Sequence, residues 1–421
     1  MELLRNGRPR VVITGLGAVT ALGPVPELWE NIIAGKSGIR RLETINTEHV
    51  SVKIGGEVRG FDPTQYIDRK EARRMGRASH FTIAAAQMAA EDAGYTPEEL
   101  EKVGERVSVV VGTSLGAHEM SEKSTTKYKT DGYRKPNPLN MINALPNMPA
   151  HYVSRYMRAF GPLITPSAAC ASGTQSVGEG MELIRRGRAD IVFAGGVEAI
   201  MQDYVLEAFY AMTALATEYN DNPSAASRPF DLNRSGFCLS EGAAIVVMES
   251  LAHALKRGAH IYAEVIGHAS SSDAYHVAAL DPEGLGAYRS MKWALEDAHL
   301  DTEQIQYINA HGTSTPANDL METQAIKRLF GEYAYELWVS STKSMLGHAM
   351  AASGAIEAVL LAKILEERVV PPTINYDTPD PECDLDYVPN EAREMPDLEY
   401  AMSNSFGLGG QNATIVMRRF N

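Results

Sequence analysis

Short apolar runs that end in glycine or a hydroxyl residue recur along the whole chain, with helical patterns between them. "RVVITGLG" (10–17), "RVSVVVGTS" (106–114), "ADIVFAGG" (189–196), "AAIVVMES" (243–250), "YINAHGTS" (307–314) and "LWVSSTKS" (337–344) are rich in β-branched residues. Runs of this length, closed by turn formers, predict buried strands. "HFTIAAAQMAAEDAG" (80–94) and "GAYRSMKWALEDAHL" (286–300) predict helices. Strands alternating with helices predict an α/β fold.

The pattern also repeats. "VVVGTS" (109–114) is echoed by "NAHGTS" (309–314), "CASG" (170–173) by "AASG" (351–354), and "AGGVEA" (194–199) by "LGGQNA" (408–413). The shared order predicts an internal duplication broken near 250–260, with units at 1–258 and 259–421 and loops inserted in the second. "GLGAVTALG" (15–23) has Thr20 where a dinucleotide fingerprint needs its third glycine, and no acidic residue closes a following strand about twenty residues on. A nicotinamide site is therefore not expected.

Charge and cysteine use narrow the function classes. A net charge of −14 argues against broad binding to nucleic acid or an anionic membrane. No apolar run approaches the ~18 residues of a membrane span. The N-terminus "MELLRNGRPR" is polar, so no signal peptide is expected. Cys170, Cys238 and Cys383 are few and far apart, which predicts reduced thiols and a cytoplasmic location.

One thiol stands out. In "SAACASGTQ" (167–175), Cys170 is ringed by the smallest side chains and precedes the amphipathic stretch "ASGTQSVGEGMELIRRG". At a helix N-terminus the free N–H groups favour an anion, which predicts a lowered thiol pKa and a nucleophile. Two histidines sit in loops after strands: His311 in "NAHGTSTP", and His348 in "STKSMLGHAMAASG" beside Lys343. Under the duplication both converge on Cys170. In "SNSFGLGGQN" (403–412), Gly407, Gly409 and Gly410 would let backbone N–H groups reach a substrate oxygen, as an oxyanion hole requires. One cysteine and two histidines also suit a catalytic zinc, but they lack the short spacings of such sites.

Taken in order, "ITGLGAVTALG", "ACASGT", "SSDAYH", "NAHGTSTP", "KSMLGH" and "NSFGLGG" resemble the motif series of the type II β-ketoacyl-[acyl-carrier-protein] synthases, from about residue 9 to 419. The resemblance implies a thiolase-like fold of two similar α/β halves in five layers, αβαβα, and a homodimer. It implies a decarboxylative condensation in fatty acid elongation, with Cys170 accepting the acyl group and His311 and His348 serving the malonyl half-reaction. Lys343 would join the histidine's hydrogen-bond network. Thr313 and Thr315 would line the channel for the carrier's phosphopantetheine arm, and Asp319, Glu322 and Glu357 would support the site. Leu115 would end the acyl pocket and Phe406 would face the substrate. No resident cofactor is implied, because the phosphopantetheine arrives on the acyl carrier protein. A monovalent cation would sit near Asn309, Glu357, Ser403 and Asn404. A polyketide-type ketosynthase and a non-catalytic chain-length factor are the alternatives within this resemblance; the latter lacks the cysteine.

The chain departs from the pattern in places. Leu408 replaces the gate's phenylalanine, Gln411 replaces the Thr or His after the glycine pair, and Cys238 and Ser240 replace an aliphatic residue and a glycine. In "DRKEARRMGR" (68–77), Arg69, Lys70, Arg73, Arg74 and Arg77 have the spacing of one helix face. In an acidic protein this stripe predicts a docking surface for an acidic carrier. The segment 118–149 predicts an irregular cap near the dimer interface.

Overall fold

The computed structural model describes residues 2–421. Its centre is one ten-stranded sheet: β1 (Val11–Val19), β2 (Val107–Gly112), β3 (Leu163–Ile164), β4 (Ile191–Glu198), β5 (Gly242–Ser250), β6 (Ala263–Ser272), β7 (Tyr307–Asn309), β8 (Trp338–Ser340), β9 (Tyr400–Gly407) and β10 (Gln411–Arg419). All six predicted runs form strands. Strands β3, β6, β9 and β10 complete the sheet.

The spatial order is β3-β2-β4-β5-β1-β6-β10-β9-β7-β8. Each strand of the first five thus occupies the mirrored place of the strand five later. The directions mirror too: β2 runs parallel to β3 and β4, as β7 runs parallel to β8 and β9. Strands β1 and β6 join the halves through the pairs Ile13–Ala263, Val12–Glu264 and Val11–Val265.

The helices complete five layers. Outer helix α2 (Arg77–Asp92) lies on β1 and β5, preceded by the one-turn α1 (Arg69–Ala72). The cap helix α3 (His118–Thr130) follows β2. Helices α4 (Ser172–Arg185) and α7 (Ser353–Glu367) pack on each other between the two sheet halves. The other outer layer holds α5 (Leu285–Ala298), on β6 and β10, and α6 (Pro316–Phe330).

The glycines of "GLGAVTALG" serve packing. The register bulges between Ile13 and Gly15, and likewise between Val265 and Gly267. A Cβ on Gly15 would lie 2.7 Å from Ala93 Cβ, and one on Gly267 would lie 2.7 Å from Ala298 Cβ. Both outer helices therefore seat on matched bare backbone.

Two of the three sequence echoes fall on equivalent elements: the Gly-Thr-Ser loops after β2 and β7, and the starts of α4 and α7. The third does not. "AGGVEA" lies largely in β4, whose counterpart is β9, whereas "LGGQNA" spans the hairpin after β9 and the start of β10. The insertions also differ from expectation. The second half adds 368–399 before β9, but the first half adds 113–162 after β2 and 199–241 after β4. Nor is the cap irregular, because α3 and a second helix, Pro138–Asn143, order much of it.

Candidate active site

Cys170 sits in a 3-10 turn, Ala169–Ala171, that leads directly into α4. Ala169 is left-handed at φ 46. An L-residue there costs about 1 kcal/mol, so the surroundings must fix the turn. They do so through the other half. Met350 opens the matching turn before α7 at φ 48, and the two turns pack together. A Cβ on Gly173 would come within 2.6 Å of Ala355 N and 2.7 Å of Ala351 O. Gly173, three residues after Cys170, is thus required by backbone packing between the halves.

The second half supplies the partner. His348 Nε2 lies 3.0 Å from Cys170 Sγ, and both residues are 2% exposed. His348 Nδ1 lies 3.0 Å from the Ser353 hydroxyl, which can give or take a proton and so serves either tautomer. His348 is held by backbone on both sides: its N–H donates to Cys238 O at 2.7 Å, and its carbonyl accepts from Ser240 N at 3.0 Å. Phe237 packs edge-on to the ring at 5.3 Å. Ser353, Phe237 and the backbone of 238–240 were not expected to serve the site. The unusual Cys238 and Ser240 were the only signal that this stretch matters.

His311 follows β7. Its own N–H and that of Gly312 donate to the two oxygens of Glu322, 2.8 Å each. Its ring stands 5.3 Å from His348 and 5.7 Å from Phe406. It makes no side-chain hydrogen bond among the described residues, and Nδ1 is buried without a partner. Glu198 does the corresponding work in the first half, taking the Thr113 hydroxyl and the N–H groups of Ser114 and Leu115.

The electrostatics reverse one expectation. Burial pushes the Cys170 thiol up to about 11, against the pull of the Leu408 N–H and Lys343. The turn's N–H groups do not outweigh desolvation of a fully buried sulfur. Burial also holds both imidazoles well below their ordinary range, reinforced by Lys343 and, for His311, by His348. The resting pair is a neutral thiol beside a neutral imidazole. Burial raises Glu322 to about 7.

The remaining expected residues divide. Lys343 is buried but bonds Glu357, not a histidine, so it reaches the rings through its charge alone. Asp319 accepts from Phe230 N and Ser314 N, fixing the loop after His311. Thr313 and Thr315 hydroxyls lie 2.9 Å apart, and Thr315 caps α6. Gly407 ends β9 beside the nucleophile: its added Cβ would meet Cys170 N at 3.2 Å. The N–H groups of Leu408 and Cys170 both act on the sulfur. Gly409 does not belong to this hole. It is exposed, at φ 84, and shapes the β9–β10 hairpin. Leu115 is 42% exposed in the single chain.

The basic stripe is not one helix face. Helix α1 ends after one turn and α2 begins at Arg77 behind Gly76. Arg69, Lys70, Arg73 and Arg74 are exposed. Arg77 turns inward, bonding Glu241 at 2.9 and 2.6 Å and Val58 O at 2.9 Å. It is a structural residue.

Two metal readings can be tested on the donor sets. Ligand atoms of Cys170, His311 and His348 lie within 4.8 Å of one another. The 3.0 Å contact between Sγ and Nε2 is a hydrogen-bond distance, shorter than the roughly 3.5 Å edge of a tetrahedral zinc site with bonds of about 2.1–2.3 Å. Lys343 adds positive charge beside it. The set does not fit zinc. The monovalent site fits better: Asn309 Oδ1, Glu357 Oε2 and Ser403 Oγ are all buried without a partner, and Asn309 pairs with Ser403 across β7–β9. The Asn404 side chain is already engaged, by Glu322 and Thr414.

Comparison with known proteins agrees with this geometry. Residues 8–254 match the family model "Beta-ketoacyl synthase, N-terminal domain" and residues 262–377 match "Beta-ketoacyl synthase, C-terminal domain". The chain is 45% identical over 412 residues to a 3-oxoacyl-[acyl-carrier-protein] synthase 2 of Staphylococcus aureus, covering 98% of each. It is 42% identical over 414 residues to the protein of that name from Synechocystis, covering 98% of this chain and 99% of the other. Among solved structures, a β-ketoacyl synthase from Burkholderia phymatum superposes with TM-score 0.91 at 37% identity, covering 98% of this chain and 100% of that one. A type II polyketide ketosynthase, solved in complex with its acyl-carrier protein and bound to the hexaketide, superposes with TM-score 0.89 at 37% identity, with the same coverage.

Proposed function

The chain belongs to the β-ketoacyl synthase family, and on that premise we propose that it condenses an acyl group carried on Cys170 with malonyl held by an acyl carrier protein, giving β-ketoacyl-carrier in fatty acid elongation. The observation that carries the reading is the junction of halves at Cys170: Sγ 3.0 Å from His348 Nε2, a His311 nitrogen within 4.8 Å, and the N–H groups of Leu408 and Cys170 acting on the sulfur.

The chemistry follows from those positions. His348 Nε2 accepts the thiol proton as Sγ attacks the acyl thioester carbonyl. The oxyanion so formed lies against the two N–H groups. The carrier's carbon–sulfur bond breaks, and the carrier sulfur leaves with the proton. Malonyl-carrier then enters. Its bond from the α-carbon to the carboxylate breaks, CO2 leaves, and the electron pair becomes an enolate. Neutral imidazole N–H groups of His311 and His348 stabilise the enolate oxygen without a cation that would over-bind it. The α-carbon attacks the acyl-cysteine carbonyl, the Cys170–acyl bond breaks to release product, and the departing thiolate takes up one proton from solvent to restore the neutral thiol. A cation on Asn309, Glu357 and Ser403 would supply charge that ties β7, α7 and β9 together.

Thr313 and Thr315 give the pantetheine arm two hydroxyls beside His311. The exposed Arg69, Lys70, Arg73 and Arg74 give the acidic carrier a landing surface. A homodimer accords with exposed Phe160 and Leu163 at the open edge strand β3 and with exposed Tyr133, Met141 and Ile142 on the cap. No described helix is long and apolar enough to cross a membrane. The 42–45% identity to 3-oxoacyl-[acyl-carrier-protein] synthases 2, against 37% to the polyketide ketosynthase, favours fatty acid elongation over the polyketide pathway.

The test is mass spectrometry of the pure protein with malonyl-carrier and acyl-carriers of several lengths. An acyl adduct on Cys170, CO2 and a β-ketoacyl-carrier product are expected. Decarboxylation without a condensation product would overturn the reading. Light scattering should give twice the chain's mass.

A further inference from the structure

The two halves begin their central helices with the same residue and use it differently. Ser172 opens α4 just after Cys170, and Ser353 opens α7 at the mirrored place in "AASG" (351–354). The Ser172 hydroxyl is taken up by its own turn. It accepts from Ala168 N at 2.8 Å and donates to Ala169 O at 2.7 Å. The Ser353 hydroxyl makes neither bond. Among the described residues its one partner is His348 Nδ1, at 3.0 Å, and Nδ1 has no other. Ser353 is 4% exposed, so bulk water does not compete for the contact.

His348 needs that oxygen in one half-reaction more than in the other. During acyl transfer Nε2 collects the Cys170 proton across 3.0 Å, and the ring becomes an imidazolium with two N–H donors. The setting opposes this cation: burial and the charge of Lys343 both hold the ring towards its neutral form. A buried charge is tolerated only when its hydrogen bonds are satisfied. In the malonyl step the ring stays neutral, and its bond to the hydroxyl is an ordinary one. A hydrogen bond from a charged donor is roughly twice as strong as one between neutral groups.

We infer that Ser353 is a positioning residue for acyl transfer: its oxygen accepts a hydrogen bond from Nδ1–H while Nε2 takes the thiol proton, so the buried imidazolium is bonded on the side facing away from Cys170. This rests on the synthase reading above and adds a residue that acts through His348 without touching the substrate. The protons balance as in that reading. One leaves Sγ, resides on Nε2 and departs with the carrier sulfur, while the Nδ1 proton stays on Nδ1 throughout. The duplicated serine has thus been kept as a turn former in the first half and turned towards the base in the second.

The experiment follows the acyl adduct on Cys170 of the full chain by rapid-quench mass spectrometry after mixing with acyl-carrier. CO2 release from malonyl-carrier is measured beside it. Ser353→Ala should slow acyl transfer ~10- to 30-fold and CO2 release by no more than about threefold, the contrast between losing a charge-assisted bond and a neutral one. Ser353→Thr keeps a hydroxyl at the same place and should return acyl transfer to within about threefold of the wild-type rate. Equal slowing of both half-reactions in Ser353→Ala would mean that the serine only holds the ring in place, and would overturn the inference. So would an unchanged rate of acyl transfer, or a Thr variant as slow as the Ala variant. If wild-type Cys170 takes up no acyl group at all, the synthase reading falls first and this inference with it.

Discussion

The reactivity of Cys170 towards a small alkylating agent separates two pictures of the site. A helix N-terminus alone would make the thiol acidic. The structure puts the sulfur at 2% exposure and its pKa at about 11, against 9.0 for an ordinary cysteine. That raise amounts to roughly 3 kcal/mol against the thiolate, and leaves about one thiolate in a thousand at pH 8. Because the group is raised, its charged form appears only late as pH climbs. The iodoacetamide rate at Cys170, followed by mass spectrometry from pH 6 to 11, should rise about tenfold per pH unit through pH 9, with no plateau below about pH 10. Acylation by carrier thioester should not follow this steep curve, because His348 takes the proton within the reaction. His348→Ala should therefore slow acylation ~100-fold or more and leave the steep alkylation profile in place. A plateau by pH 7–8 in the wild-type chain would refute the buried-thiol argument and restore the acidic thiol.

Four further outcomes can be checked directly. Cys170→Ala should give no acyl-enzyme, and intact-mass analysis should find no acyl group on Cys238 or Cys383, which burial holds at about 12 and about 11. His311→Ala and His348→Ala should each cut CO2 release from malonyl-carrier ~100-fold, the scale of losing one oxyanion donor. Arg77→Ala leaves Glu241 buried and unpaired, so thermal unfolding should show a loss of about 3 kcal/mol, with carrier KM unchanged in the surviving fold. Leu408→Phe should sharpen the discrimination between acyl- and malonyl-carrier in competition; an unchanged ratio would mean that Leu408 only packs the hairpin.

The parts of this molecule legible in the sequence are those with local causes. The six apolar runs form strands because their β-branched residues are buried on both faces. The His311 and His348 loops were legible because each follows such a strand. What escaped depends on long-range packing. The stripe 68–77 has helical spacing, but Gly76 breaks it, and Arg77 is drawn in by Glu241, 164 residues away. The thiol's pKa was misjudged because local helix geometry was visible while burial by the other half was not. Cys238 and Ser240 looked like stray departures until the fold laid their backbone beside His348. The "AGGVEA" echo misled because short Gly/Ala strings match without sharing an element.

The nucleophile comes from the first half of the chain and both histidines from the second, so the 3.0 Å contact crosses between two mirrored bodies. A cut beside the exposed Gly258, which closes the helix Leu251–Arg257 before β6, would leave neither fragment with a complete site. Turnover would then report reassembly of the two pieces. The enzyme carries the arrangement of a split reporter, in which an acyl transfer signals that two polypeptides have met.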